Sequence, residues 1–135
     1  MKTNERLKAA NLRVTKARIR ILDILEARGM PMAHTEILNL AQDIDRVTLY
    51  RVLDSLVAAS LVHKVQGTDG TWRFCAHEDD GQTCPGGHAH FLCEKCGQMF
   101  CLTDQKIPHF ELPNAFTVSH KQVLILGLCD ACHHT

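Results

Sequence analysis

The chain has 135 residues, its 15 Lys and Arg balance 15 Asp and Glu, and 45% of its residues are apolar. This composition is too apolar for a disordered chain, and its apolar runs are too interrupted for a membrane span. We therefore expect one compact domain, or two very small ones, with no membrane contact.

Three or four helices are predicted in residues 1–60. A short one runs from about Asn4 to Asn11, and a second begins after Thr15, whose hydroxyl can cap it, and ends at Gly29. A third covers residues 35–41, and Asp45 caps a fourth. The third helix is expected to bury Ile37, Leu40 and Ala41, and the fourth to bury Leu49, Leu53, Leu56 and Val57.

Two β-prone runs follow the fourth helix. Residues 61–65 and 71–75 flank Gly67-Thr68-Asp69-Gly70, which is typical of a hairpin turn. Helices followed by such a hairpin predict a winged helix-turn-helix, with the fourth helix as the recognition helix. A polar helix face is often only a solvated surface, but this position before a wing favours contact with DNA. The candidate DNA-binding residues on this helix are Arg46, Thr48, Tyr50 and Arg51.

Positive charge is concentrated in the first half of the chain. Residues 1–75 hold 12 Lys and Arg against 8 Asp and Glu, whereas residues 76–135 hold 3 against 7. A basic surface is typical of polyanion binding, although a solvated helix face can have the same composition. The basic residues that precede position 21, against the single acidic Glu5, are Lys2, Arg6, Lys8, Arg13, Lys16, Arg18 and Arg20. From this region Arg13, Thr15 and Lys16 join the candidate DNA-binding residues.

Two C-x-x-C sequences form the sharpest motif. No signal peptide follows Met1, so we expect a cytoplasmic protein whose 7 cysteines are thiols rather than disulfides. Two such pairs can give four thiolates to one ion, and a closed all-sulfur shell suits structural zinc and leaves no open position for catalysis. The predicted structural zinc ligands are Cys93, Cys96, Cys129 and Cys132.

A second metal site is predicted between the two halves of the chain. His88 and His90 alternate along a strand, so both imidazoles lie on one side, while Cys75 ends the hairpin and His63 lies roughly opposite. Taken singly, His63 is typical of a surface histidine and Cys75 of a small buried apolar residue. Together, His63, Cys75, His88 and His90 can bind one metal that fixes the relative orientation of the two halves.

The segment after the hairpin is expected to be a small antiparallel sheet held by the structural zinc site. Its strands are predicted at residues 90–92, 98–102 and 116–128. The predicted fold class is therefore α+β, with a winged helix-turn-helix followed by this sheet.

Taken together, the motifs resemble the ferric uptake regulator family of bacterial metal-dependent repressors. The resemblance rests on Leu12-Arg13-Val14-Thr15, Thr48-Leu49-Tyr50-Arg51, Leu61-Val62-His63-Lys64-Val65, His88-Ala89-His90-Phe91-Leu92-Cys93, Cys96-Gly97, Gly127-Leu128-Cys129 and Cys132. It implies a winged-helix DNA-binding domain at residues 1–77, a hinge loop at 78–87 and a zinc-stapled dimerisation domain at 88–135. It also implies a homodimer that closes onto double-stranded operator DNA when the hinge metal is bound.

Differences from the family pattern indicate the metal. The hinge set resembles that of zinc uptake regulators, whereas iron- and manganese-responsive relatives mostly carry carboxylates where this chain has Cys75 and Cys101. Thiolate and imidazole ligands favour zinc. Cys101 is either a fifth ligand of the regulatory site or a redox-sensitive neighbour. An additional metal site of several relatives is not expected, because its positions hold Gly87, Ala89 and Leu128.

A further difference lies at residues 103–115, where the family has a helix between strands. Pro108 and Pro113 make a full helix unfavourable there. An apolar strand still offers a symmetric interface through Phe116, Val118, Val123, Ile125 and Leu126.

The sequence thus predicts a zinc-dependent repressor of zinc-uptake genes, without catalytic residues or a small-molecule substrate. Within the family, the alternatives are an iron- or manganese-responsive regulator and a peroxide sensor that oxidises Cys75 or Cys101. Outside it, the alternatives are a thiol enzyme that uses a C-x-x-C pair and a zinc-ribbon interaction module that does not bind DNA.

Overall fold

A computed structural model describes residues 2–76, 89–102, 104–105, 107–118 and 121–133, and shows an α+β fold with two three-stranded sheets. The helices are α1 (Thr3–Ala9), α2 (Lys16–Arg28), α3 (His34–Leu40), α4 (Arg46–Ala58) and α5 (Asp130–His133). The strands are β1 (Met32–Ala33), β2 (His63–Gln66), β3 (Trp72–Cys75), β4 (Ala89–Cys93), β5 (Met99–Leu102) and β6 (Leu124–Gly127). None of the described helices is long and apolar enough to cross a membrane. The predicted hinge loop at 78–87 and the candidate ligand His88 lie outside the described residues.

Side-chain caps fix the starts of the two longest helices. The Thr15 hydroxyl accepts a hydrogen bond from the backbone N–H of Arg18 at 3.1 Å, and the Asp45 carboxylate accepts one from Thr48 at 3.3 Å. Gly29 ends α2 with a φ of 68°, which glycine adopts without steric strain. These local signals confirm the predicted starts of α2 and α4 and the predicted end of α2.

A hydrophobic core joins the four N-terminal helices to the first sheet. The prediction for Leu40 is wrong, because its side chain is 54% exposed while Ile37 and Ala41 are buried. Leu40 is the last residue of α3, and the backbone leaves helical geometry at Ala41, with a φ of −125°. The helical spacing that would place Leu40 and Ala41 on one face therefore ends between these two residues. The α4 residues predicted to be buried are buried, with Val57 only partly so: Leu49, Leu53, Leu56 and Val57.

The predicted hairpin is confirmed and forms the wing. Strands β2 and β3 pair antiparallel, and the backbone N–H of Gly67 donates to the Thr71 carbonyl at 3.0 Å. Gly70 closes the turn with a φ of 80°. The two-residue strand β1 was not predicted; it pairs with the other edge of β3 and gives the order β1-β3-β2. A strand this short has no readable alternation of apolar and polar residues.

The second sheet has the order β5-β4-β6. Strands β4 and β5 pair antiparallel, as predicted, but β6 pairs parallel with β4. Among the described residues of the strand predicted at 116–128, only Leu124–Gly127 form a strand. Leu102, at the end of β5, and Leu124, at the start of β6, both lie beside the start of β4, so residues 103–123 connect the two strands at one end of the sheet. The described residues of 103–115, which include Pro108 and Pro113, contain no helix.

The two sheets pack against each other. Val65 and Cys75 of the wing share a buried cluster with Leu92, Met99 and Cys101 of the second sheet. At the wing tip, the side chain of Gln122 donates to the backbone carbonyl of Gln66 at 2.6 Å and accepts from its N–H at 3.4 Å. The wing is thus held along its length by the C-terminal module.

Arg73 lies at the centre of this contact and is 3% exposed. Its Nη2 donates to a carboxylate oxygen of Asp69 at 2.9 Å and to the backbone carbonyl of Gly97 at 3.0 Å. A Cβ atom at Gly67 would lie 2.5 Å from Nη1 of Arg73 and 3.1 Å from Cδ2 of Leu92, so a side chain there would displace the guanidinium group. Arg73 therefore bonds the wing to the turn that carries Cys96.

The ion pair between Arg73 and Asp69 predicts an acid-dependent loss of stability. Hydrogen bonds from Arg73 hold the pKa of Asp69 below its ordinary value. A pKa that is depressed in the folded state stabilises the fold above the unfolded-state value of about 4, and the effect is lost as pH falls through the folded-state value. We expect Asp69→Asn to lower the free energy of unfolding at pH 7 by at most about 1 kcal/mol, because the carboxylate is half exposed.

The measurement is urea unfolding of both proteins at a series of pH values, since acid effects common to both cancel in the difference. The difference between wild type and Asp69→Asn should shrink below about pH 4. A difference that stays constant across this range would show that the ion pair does not stabilise the wing.

Candidate metal centres and nucleic-acid interface

Four cysteines from four places in the chain converge on one point. Their Sγ atoms all lie within 4.8 Å of one another, as the two C-x-x-C sequences predict. Cys93 ends β4, Cys96 lies in the turn before β5, Cys129 follows β6 and Cys132 lies in α5. The turn closes because Gly97, with a φ of 77°, donates its N–H to the Cys93 carbonyl at 3.0 Å.

Backbone and thiol contacts give these cysteines different pKa values. The N–H groups of Cys96 and Cys129 donate to Sγ of Cys93 at 3.5 and 3.4 Å, and they lower the pKa of Cys93 to about 6. Burial raises the pKa of Cys132 to about 12, and the neighbouring thiols add to this effect. One thiol therefore ionises readily while another retains its proton, as expected when like charges share a small volume. A divalent cation removes this repulsion, and a compact set of four sulfurs fits tetrahedral zinc.

The candidate regulatory ligands lie in pairs on the two sheets that face each other. His63 is directly opposite Cys75 in the wing, and His90 is directly opposite Cys101 in the second sheet. Cys75 and Cys101 belong to the same buried cluster, and His90 is 1% exposed. Met30 also reaches this cluster, where its sulfur accepts the Cys101 N–H at 3.1 Å. The contact of Met30 was missed, because no sequence pattern links the end of α2 to β5.

These pairs are not assembled into a compact site within the described part of the chain. Of the His, Cys, Asp and Glu residues described, only the four zinc-motif cysteines form a group of three or more with ligand atoms within 4.8 Å. His88 lies outside the described residues. The regulatory set of His63, Cys75, His88, His90 and Cys101 therefore stays a prediction.

The polar face of α4 is exposed, as DNA contact requires. Arg46, Tyr50 and Arg51 are exposed and Thr48 is half-buried. Thr48 and Lys16 line one surface cleft, so the starts of α2 and α4 lie side by side. Arg13 and Lys16 are exposed, whereas the Thr15 hydroxyl is occupied by its cap.

Two basic residues near the N-terminus are engaged within the protein. Arg6 was expected to add to the basic surface, but it is buried in an ion pair with Glu26. Arg20 pairs with Asp43 at 3.2 Å and donates to the Leu40 carbonyl. The basic surface is therefore narrower than the composition indicates.

His34 supports the recognition helix, a role that sequence analysis missed. Its ring meets the ring of Tyr50 edge-on at a centroid distance of 4.4 Å and that of Phe74 at 4.9 Å. Burial lowers the pKa of His34, with Asp54 opposing the shift and Arg46 adding to it. The contact joins α3, α4 and the wing, and its partners are too distant in sequence to be recognised from a local pattern.

Comparison with known proteins shows a family match. A sequence model described as the ferric uptake regulator family matches residues 9–123. The transcriptional regulator FurA of Mycobacterium tuberculosis is 31% identical over 140 aligned residues, covering 95% of this chain and 88% of FurA. The zinc uptake regulation protein of Escherichia coli is 28% identical, covering 90% of this chain and 74% of that protein.

Solved structures show the same fold. The ferric uptake regulator of Vibrio cholerae superposes with a TM-score of 0.66 at 21% identity, covering 93% of this chain and 98% of that chain. A zinc uptake regulator complexed with zinc and DNA superposes with a TM-score of 0.65 at 21% identity, covering 97% and 90%.

The four-cysteine cluster predicts one firmly held zinc ion per chain. We expect protein treated with a weak chelator to retain one zinc per chain, and Cys96→Ser and Cys129→Ser to lose it, because an incomplete shell binds zinc more weakly. Elemental analysis after dialysis measures the ratio of zinc to protein. Cys101→Ser is the matched control and should retain the ion. Full retention by both Cys96→Ser and Cys129→Ser would contradict the assignment.

Proposed function

Since the chain belongs to the ferric uptake regulator family of metal-responsive transcriptional regulators, we propose that it is a homodimeric repressor that senses zinc and silences zinc-uptake genes. Such a protein acts in the cytoplasm on double-stranded operator DNA. The observation that carries the zinc assignment is the position of Cys75 and His90 in the contact between the two sheets.

The proposed DNA contact is supported by α4 and the start of α2. Arg46 and Arg51 can donate to guanine or to phosphate, and the hydroxyls of Thr48 and Tyr50 can reach phosphate oxygens. Lys16 adds a cation beside the start of α4. These groups lie on one exposed side of the winged helix, which is the arrangement needed to enter a major groove.

The proposed preference for zinc is supported by ligand chemistry. Cys75 offers a thiolate, and His63, His88 and His90 offer imidazoles, a set that suits zinc better than the harder iron and manganese ions. The relatives include both FurA and a zinc uptake regulation protein, so sequence similarity does not identify the metal that is sensed. Peroxide sensing through Cys75 or Cys101 is the second candidate; both thiols lie in the same buried cluster, and this burial disfavours their oxidation relative to that of exposed thiols.

The proposed dimer is supported by the large apolar side chains that lie exposed in the C-terminal module. Among the described residues, large apolar side chains remain more than 40% exposed in this module. A surface of this kind is typical of an interface between subunits. The exposed residues are Phe110, Leu112, Phe116, Val118, Ile125, Leu126 and Leu128.

The proposed regulation follows from where the ligands lie. His63 and Cys75 belong to the wing, and His90 belongs to the sheet that holds the structural cysteines. Bound zinc would supply a link between these two elements. The wing residues would then hold α4 in one orientation relative to the C-terminal module, and the arrangement that binds zinc better is the one populated. A coupling of about 1–3 kcal/mol is typical of such regulation.

Zinc should switch DNA binding on through this set. We expect protein stripped of exchangeable metal to bind labelled duplex DNA from upstream of zinc-transporter genes only after zinc is added, and less well with iron or manganese. Fluorescence anisotropy at one fixed salt concentration measures the affinity. Cys75→Ser and His90→Ala should each need at least ten-fold more zinc, a loss on the scale of removing one ligand.

Arg51→Ala separates DNA contact from metal sensing. This variant should weaken DNA binding at saturating zinc while leaving zinc affinity nearly unchanged, because the side chain is exposed on α4. Intact zinc-dependent binding in both ligand variants would refute the regulatory site. A response to iron or manganese instead, or loss of binding at stoichiometric peroxide that thiol reverses, would favour the alternatives. No salt-dependent DNA binding at all would favour an interaction module.

A further inference from the structure

The wing has two faces with different surroundings. Directly opposed residues of an antiparallel pair place their side chains on the same face. Lys64 is opposite Phe74 and Gln66 is opposite Trp72, so these four share one face. The other face, which carries Val65 and Cys75, packs on the C-terminal sheet. Lys64 and Trp72 therefore point away from that sheet.

Lys64 and Trp72 form an exposed pair on this outer face. The Nζ atom of Lys64 lies 4.7 Å from the ring centroid of Trp72, within the range of a cation–π contact. Trp72 remains 37% exposed and Lys64 is exposed. Lys64 forms no ion pair with any described residue, and the carboxylate of Asp69 in the same hairpin is bonded to Arg73. The ammonium group is thus held in place and available to an anion.

The outer face is continuous with the recognition helix. Phe74 contacts the ring of His34, which in turn contacts Tyr50 of α4. Trp72 lies two residues from Phe74 on the same face, about 7 Å along the strand. The path from Tyr50 through His34 and Phe74 to Trp72 is therefore of the same order as the width of the major groove, about 12 Å. When Tyr50 faces the groove, Lys64 is within reach of the phosphates that border it.

We propose that Lys64 and Trp72 form a second DNA contact, in which the Lys64 ammonium binds a backbone phosphate beside the groove that α4 enters. The Trp72 ring orients the lysine and becomes partly covered by the duplex. The partner is the phosphodiester backbone, so this contact adds affinity without reading sequence. The proposal rests on the proposed DNA-binding function.

Trp72 is the single tryptophan of the chain, and its emission therefore reports on this face alone. The probe is the labelled duplex from upstream of zinc-transporter genes, added to protein already saturated with zinc, so that zinc-induced changes precede the measurement. We expect anisotropy and Trp72 emission to change over the same range of DNA concentration. A scrambled duplex should change the emission in the same direction at higher concentration.

Lys64→Met tests the phosphate contact. Because each neutralised phosphate contributes about −0.9 to the slope of log affinity against log salt, the slope should shrink by about 0.9 per protomer. The affinity at about 0.1 M salt should fall roughly ten-fold for each protomer that loses its contact. Lys64→Arg should retain the wild-type salt slope and affinity, since it preserves the cation. Lys121→Met is the matched control: it removes the same charge from the C-terminal module and should leave the slope unchanged.

The outcomes separate this inference from the proposed function. If the duplex raises anisotropy but Trp72 emission is unchanged and Lys64→Met behaves as Lys121→Met does, the wing contact is refuted and DNA binding stands. If no duplex raises anisotropy, the proposed function fails and the wing contact fails with it. Loss of affinity in Lys64→Met together with Lys64→Arg would indicate a disturbed wing and would also overturn the proposal.

Discussion

The side chain of Arg73 lies buried between the two modules, and the position of the wing depends on it. One guanidinium nitrogen bonds both Asp69 in the hairpin and the carbonyl of Gly97, next to the zinc motif. A buried arginine is costly unless its charge and hydrogen bonds are satisfied, and removing one partner leaves an uncompensated charge. If the wing left the C-terminal sheet, Arg73 would lose its bond to the Gly97 carbonyl, and Val65 and Cys75 would lose their buried contacts with that sheet. This constraint makes the contact between the sheets a discrete arrangement, which is what a switch requires.

The same contact places the structural cysteines and the buried thiols next to the DNA-binding module. The structural cysteines close the turn that contains Gly97, so the shell that suits zinc also fixes the carbonyl that Arg73 binds. The buried cluster beside it contains Cys75 and Cys101, one from each sheet. On the opposite side of the wing, His34 and Phe74 connect β3 to Tyr50. A change at the proposed regulatory ligands can thus reach the recognition helix through two packed layers.

Features that depend on residues close together in the sequence were predictable, and features that depend on contacts between distant residues were not. The caps at Thr15 and Asp45 and the C-x-x-C spacing each depend on residues within a few positions, so a single sequence carries the signal. The parallel pairing of β6 depends on the path of a long connection. The burial of Arg6 depends on Glu26, twenty positions away, and neither residue type indicates it. For the regulatory site, the sequence predicts ligand chemistry, while its assembly depends on how the two sheets meet.

We propose that zinc acts by tightening the contact between the two sheets. The most direct measurement is hydrogen exchange, followed by mass spectrometry, on protein that retains its structural zinc, before and after one further equivalent of zinc. Exchange should slow in peptides covering residues 63–76 and 89–102, stay unchanged in α2, and not slow in Cys75→Ser. Unchanged exchange in both peptides, with DNA binding still dependent on zinc, would contradict the account.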